Sequence, residues 1–118
     1  MKVKSYKDLD VWKKGIEIAG LVYEMTDLFP EKERFNLMAQ MQRAAVSISS
    51  NIAEGSARQH TKEYQQHCYI ALGSCAELET QLIIAGNRNY VSDAIYSRLA
   101  ECLGHESRML MNLIKSLR

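Results

Sequence analysis

Between Leu37 and Arg58, apolar and polar residues each recur every three or four positions, the spacing of a helix face. Leu37, Met41, Ala44, Ala45, Ile48 and Ile52 make an apolar stripe, and Gln40, Arg43, Ser47, Asn51, Glu54 and Arg58 make a polar stripe beside it. At about 100° per residue the polar stripe lies at the flank of the apolar one, not opposite it. Its groups therefore border the core and need partners.

The same periodicity predicts three more helices. The first runs from about Asp8 to Leu28, with Leu9, Trp12, Ile16, Ala19 and Tyr23 on its inward face. Phe29-Pro30-Glu31 closes it, because proline cannot continue a helix and restricts the residue before it. Glu31 to Phe35 form a short turn ahead of the second helix, which spans about Asn36 to Ala57. Arg58-Gln59-His60 then links to a third helix capped by Thr61. Tyr64, Cys68, Ala71, Cys75, Leu78, Leu82 and Ala85 give that helix a heptad seam. It ends at Gly86 to Tyr90, and Ser92-Asp93 opens a fourth helix reaching Leu117. The inward residues of this last helix are Ile95, Leu99, Cys102, Leu103, Leu110, Leu113, Ile114 and Leu117. Links this short join sequential neighbours up and down. The expected fold is all-α, an antiparallel up-and-down four-helix bundle forming a single domain over residues 1–118.

Glycine positions refine the packing. Interior glycine costs about 1 kcal/mol relative to alanine, so Gly73 is expected where another helix comes close. Gly15, Gly20 and Gly104 mark further candidate contact points.

A hydrophobic content of 47% and a charged content of 25% suit an ordinary globular chain. No charge-free apolar run reaches the roughly 18 residues of a membrane span, and Met1-Lys2-Val3-Lys4 leads into a polar segment, so the expected location is cytoplasmic. Cys68, Cys75 and Cys102 lie inside helical patterns without CxxC spacing and read as buried reduced thiols. Net charge is only +1, which argues against a uniformly basic nucleic-acid binder. Its distribution is uneven: residues 1–14 carry five lysines against Asp8 and Asp10, while residues 15–30 carry only Glu17, Glu24 and Asp27. That asymmetry predicts a basic patch at one end of the fold.

Candidate chemistry is sparse. Bundles host metals through Glu-x-x-His pairs on facing helices, and this chain has none; His60 falls in a link, His67 outside the seam, and His105 four residues after Glu101. There is no nucleophile elbow, phosphate-cradling glycine loop or local Ser/His/Asp signature. The residues point to a protein that is not an enzyme, with no metal and no cofactor. The polar stripe reads instead as a structural network of Arg43, Ser47, Asn51, Glu54, Glu77 and Glu79. If the second and third helices are antiparallel about His60, residues near 43 face those near 77, which predicts an Arg43–Glu77 pair.

Several segments in a fixed order carry a family resemblance: Asp8-Leu9-Asp10-Val11-Trp12-Lys13-Lys14, Phe29-Pro30, Gln42-Arg43-Ala44-Ala45-Val46-Ser47-Ile48, Ser50-Asn51-Ile52-Ala53-Glu54-Gly55, Ala71-Leu72-Gly73-Ser74 and Glu77-Leu78-Glu79-Thr80-Gln81-Leu82. Together they resemble the four-helix bundle proteins encoded by intervening sequences inside bacterial large-subunit ribosomal RNA genes. Ser49, where the family often has proline, and Cys75, where an aliphatic residue is usual, depart from the pattern without disturbing the fold. The resemblance implies a ring-like homopentamer. The chain is more distantly similar to accessory proteins of diversity-generating retroelements, which bind nucleic acid and a reverse transcriptase but are strongly basic.

Two functions are then open. One is RNA or DNA binding through Lys2, Lys4, Lys7, Lys13 and Lys14, joined by Arg58 or Arg118 and multiplied around a ring. The other is an interaction scaffold that docks a reverse transcriptase or a ribosomal component, with no membrane involvement. Trp12 lies on the expected apolar stripe of the first helix and is assigned to core or interface more readily than to base stacking.

Overall fold

The computed structural model describes residues 5–118. Four helices follow a short 3₁₀ turn at Tyr6–Asp8: α1 Asp10–Thr26, α2 Leu37–Ser56, α3 Thr61–Asn87 and α4 Asp93–Ser116. A second 3₁₀ turn, Glu31–Glu33, follows Pro30, whose ring closes off α1. Thr61 lies just inside α3, and His60 holds the extended cap position that threonine was expected to fill. Ser92 caps α4 by accepting from the Ile95 amide. Between α3 and α4 the Tyr90 amide bonds back to the Ala85 carbonyl at 2.9 Å while Asn89 takes φ 61°. Asparagine enters that left-handed region at lower cost than most residues, and this is how α3 stops.

Each helix packs on its sequence neighbours and α4 closes on α1, giving a four-cornered bundle of 43 × 25 × 20 Å. Ile18, Met25, Met41, Ile48, Ile52, Leu78, Leu82, Leu99, Leu103, Leu110 and Ile114 are fully buried along its axis. Each such side chain contributes about 1.5–3 kcal/mol by leaving water. By length and mean hydropathy (1.2 over 18 residues) α3 could cross a membrane, and 44% of that window is buried within the bundle. Its seam residues Cys68, Ala71, Cys75, Leu78, Leu82 and Ala85 are the ones that pack inward.

Two expectations need correction. On α1 the buried face is Val11, Gly15, Ile18, Leu21, Val22 and Met25; of the expected inward residues Leu9, Trp12 and Ala19 pack partly buried against the core, while Ile16 and Tyr23 are 48% and 44% exposed. The helix has two apolar stripes, and glycine at position 15 interrupts the inward one to the eye while occupying its closest contact. A Cβ at Gly15 would collide with Ser49 Oγ and lie 3.2 Å from Glu106 Oε2. Gly73, by contrast, is exposed with no neighbour within 4 Å of an added Cβ. The close approach of α2 and α3 is made at Gly55, where a Cβ would lie 2.7 Å from His67 Cβ and 3.0 Å from Tyr64 Cδ1.

Candidate functional site

The polar stripe of α2 meets α3 through hydroxyl, amide and imidazole groups. Ser74 Oγ donates to Ser47 Oγ at 2.9 Å, and Asn51 Nδ2 donates to both Ser47 Oγ and the Ser47 carbonyl at 2.9 Å. Asn51 Oδ1 is left as an acceptor, so His67 Nδ1, 2.9 Å away, carries the proton and donates to it. The other ring nitrogen, Nε2, lies 4.0 Å from Glu54 Oε2, beyond hydrogen-bond distance, and Glu54 accepts from Arg58 at 3.2 Å. The chain of hydrogen bonds runs from Ser74 to His67 along the α2–α3 boundary. Nearby, Gln42 Nε2 donates to Thr26 Oγ1 at 3.0 Å and Ser49 Oγ donates to the Trp12 carbonyl at 3.1 Å, tying α2 to α1.

The expected Arg43–Glu77 pair is not formed. Arg43, Glu77 and Glu79 are all exposed, and none enters an ion pair among the described residues. Glu77 accepts only from Gln81 on its own helix, at 3.5 Å. The antiparallel register about residue 60 is the expected one, since Asn51 meets His67 and Ser47 meets Ser74. What differs is azimuth: Glu77 sits three residues beyond Ser74, which turns it about 60° away from the α2-facing line. His67 was detectable from the same hairpin arithmetic.

A second feature is the charge at the end of the bundle where α1 and α3 begin and α2 and α4 finish. Gln65 Nε2 donates to the Ile114 carbonyl at 3.1 Å and the Tyr6–Asp8 turn packs on α2, so these segments share one end. Lys7, Lys13, Arg58, Lys62, Lys115 and Arg118 are exposed there against Asp8, Asp10, Glu54 and Glu63. Arg58 is engaged by Glu54 and, at 3.9 Å, by Glu63; the other five basic groups make no ion pair among the described residues. The opposite end carries Glu24, Asp27, Glu31, Glu33 and Asp93 against Lys32, Arg34 and Arg88. Lys2 and Lys4 lie outside the described residues. Lys14 stands apart from the exposed group: it is half-buried and bonded to Glu17 at 3.1 Å. Lys62 and Lys115 were absent from the sequence-based patch, which was drawn mainly from residues near the start of the chain; the alternation of the helices puts them at the same end as Lys7.

A family profile described as 23S rRNA-intervening sequence protein matches residues 7–112, nearly the whole bundle. The chain belongs to that family. Among curated proteins none matches it. The crystal structure of a protein with unknown function from the S23 ribosomal protein family of Bacteroides thetaiotaomicron is similar, with a TM-score of 0.82 and 23% identity, covering 89% of this chain and 95% of that one. At that identity the likeness is one of fold.

In this member of the 23S rRNA-intervening sequence family, a groove of about 430 Å³ between α1 and α4 is lined by Lys14, Glu17, Arg98, Glu101, Cys102, His105 and Arg108. Glu17 organises it, accepting from Lys14 and from Cys102 Sγ at 3.4 Å and lying 3.9 Å from Arg98. The Lys14 bond, followed by the Cys102 bond, holds the Glu17 carboxyl below the usual range, and the same contact raises Lys14. Burial pushes the thiols of Cys68 and Cys75 up to about 11 and about 12, and burial ahead of the Glu17 bond raises Cys102. All three cysteines are unpaired thiols and would react slowly as nucleophiles. Among the described residues no three histidine, cysteine or acidic side chains converge as metal ligands.

Beneath the groove Glu106 is fully buried with neither carboxyl oxygen hydrogen-bonded. Burial pushes it up to about 8, so at neutral pH it is a neutral acid. The heptad spacing of α4, with Leu99, Leu103, Leu110 and Ile114 inward, already placed position 106 on the core face.

Proposed function

We propose that this chain is a non-enzymatic, oligomeric bundle protein that binds RNA or another nucleic acid through the basic end of the bundle. The observation that supports this most is the charge separation along the long axis. Among the described residues, six basic against four acidic side chains at one end face three against five at the other, although the chain as a whole is only +1. A phosphate backbone is drawn to such an end, and repetition in an assembly multiplies a modest patch into an extended field.

Assembly is supported by two apolar surfaces that the bundle leaves uncovered. One combines Ile16 and Tyr23 of α1 with Val46 of α2; the other lies on α3 at Tyr69, Ile70, Ile83 and Ile84, all 44–52% exposed. Different patches on different helices favour a head-to-tail contact that closes into a ring, and the family resemblance supports a ring of five copies. Native mass spectrometry with and without a single-stranded RNA oligonucleotide tests the reading. An oligomer that retains RNA at low salt supports it, and a bare monomer at micromolar concentration overturns it.

The scaffold reading draws on a different observation. Leu28 and Phe35 are 76% and 86% exposed at the acidic end, where apolar side chains favour contact with a protein. Binding of protein without nucleic acid in a pull-down would favour this alternative.

A further inference from the structure

Glu106 presents a carboxyl group to the backbone of α1 with no donor to receive it. Its Oε2 lies 3.2 Å from where a Cβ at Gly15 would stand, and Ile48 Cγ2 and Ser49 Oγ crowd the same point. Ser49 does not serve the carboxyl; its hydroxyl donates to the Trp12 carbonyl. The first half of α1 is therefore seated on two polar groups, one hydrogen-bonded to it and one merely packed beneath it.

Charged and titratable neighbours come from every side. Lys14 on α1 is the nearest cation, but its ammonium is held by Glu17. From α3 the neighbour is Cys75, itself a neutral thiol. From α2, Ser49 Oγ and Ile48 Cγ2 crowd the same point at Gly15, and on α4 the Cys102 thiol bonds Glu17 instead. A carboxylate formed here would have Lys14, already held by Glu17, as its one compensating charge, and no hydrogen-bond donor at either oxygen.

We propose that Glu106 is a proton-operated latch for the first half of α1: as a neutral acid it lets Gly15 seat against α4, and on ionisation it releases residues 10–15 while α2, α3 and α4 stay packed. Release transfers the carboxyl proton to solvent and leaves the carboxylate to be hydrated or paired with Lys14. The segment that moves carries Trp12, Lys13 and Lys14 and joins the turn bearing Lys7. The latch does not rest on the nucleic-acid reading but on the contact of Glu106 with Gly15.

Trp12 is the only tryptophan and sits at the latch, its ring 5.6 Å from Tyr6 in an edge-to-face contact. The test follows Trp12 emission and far-ultraviolet circular dichroism of the full chain from about pH 6 to about pH 10, a range in which an ordinary glutamate is already ionised. The expected result is an emission change with its midpoint near 8 at constant helicity, abolished in Glu106→Gln. A transition that persists in Glu106→Gln, no transition in the parent, or emission that changes only as helicity is lost overturns the latch. Should Glu106→Gln fail to fold, carbon NMR of the Glu106 carboxyl in the parent decides: titration near 8 with faster amide exchange in residues 10–15 supports the proposal, and titration near 4.5 overturns it.

Discussion

Asn51→Ala should be among the most damaging substitutions outside the hydrophobic core. The amide donates to both acceptors of Ser47 and accepts from His67, with all three contacts at 2.9 Å. The two donated contacts run from one nitrogen to one residue and count as about one bond, so with the His67 contact the amide makes about two. At about 1 kcal/mol net per bond the loss is about 2 kcal/mol. The full desolvation penalty is not added, since the His67 side chain keeps 17% exposure and water can reach the freed groups. For a chain of 118 residues this corresponds to a fall of about 8 °C in Tm. Thermal and urea unfolding of Asn51→Ala, His67→Ala and the double variant measure it, with a coupling of about 0.5–1.5 kcal/mol expected between the two sites. Arg43→Ala is the control: exposed and without an ion pair, it should change stability by less than about 0.5 kcal/mol. If Asn51→Ala costs less than Arg43→Ala, or if Asn51 and His67 behave additively, the seam does not hold α2 to α3.

Three further outcomes follow from the packing. Gly55→Ala should destabilise by about 1–3 kcal/mol, because a Cβ there meets His67 and Tyr64 at 3.0 Å or less. Gly73→Ala should stabilise by up to about 1 kcal/mol, since the position is open and mid-helix; denaturant midpoints distinguish the two signs. Glu106 makes stability depend on pH in an unusual direction. The folded carboxyl keeps its proton up to about 8 and the unfolded one loses it near 4.5, so unfolding releases a proton between those values. The Glu106 contribution to stability is then fully present below about pH 4.5 and falls by about 1.4 kcal/mol per pH unit up to about 8; Glu106→Gln should remove that part of the slope in urea titrations at successive pH values.

The helices and their links were legible because proline, glycine and capping residues punctuate a strongly periodic chain. Pro30 and Ser92 mark boundaries within a residue or two of those observed. The inward face of α1 was harder to read, since it carries two apolar stripes and the buried one passes through a glycine. Pairing arithmetic gave the α2–α3 register but not which side chains would face across it; three residues along a helix changed the partner from Glu77 to Ser74. Glu106 was overlooked for a chemical reason: a carboxylate is expected at the surface, and only the burial of a neutral acid reconciles it with a core position. The basic end joins Lys7, Lys62 and Lys115, which are far apart in sequence and share one end of the bundle because the helices alternate.

The central claim is that the basic end binds the phosphate backbone. Its most direct test is the equilibrium affinity of the intact protein for a fluorescent single-stranded RNA across a salt series, for the parent and for a Lys7→Glu, Lys13→Glu, Lys62→Glu variant. The account predicts that affinity falls linearly on a logarithmic salt scale, with a slope of roughly 0.7 per phosphate contact. The variant should bind more weakly with a shallower slope. Absence of binding at low salt, or a variant whose affinity and slope match the parent, would contradict it.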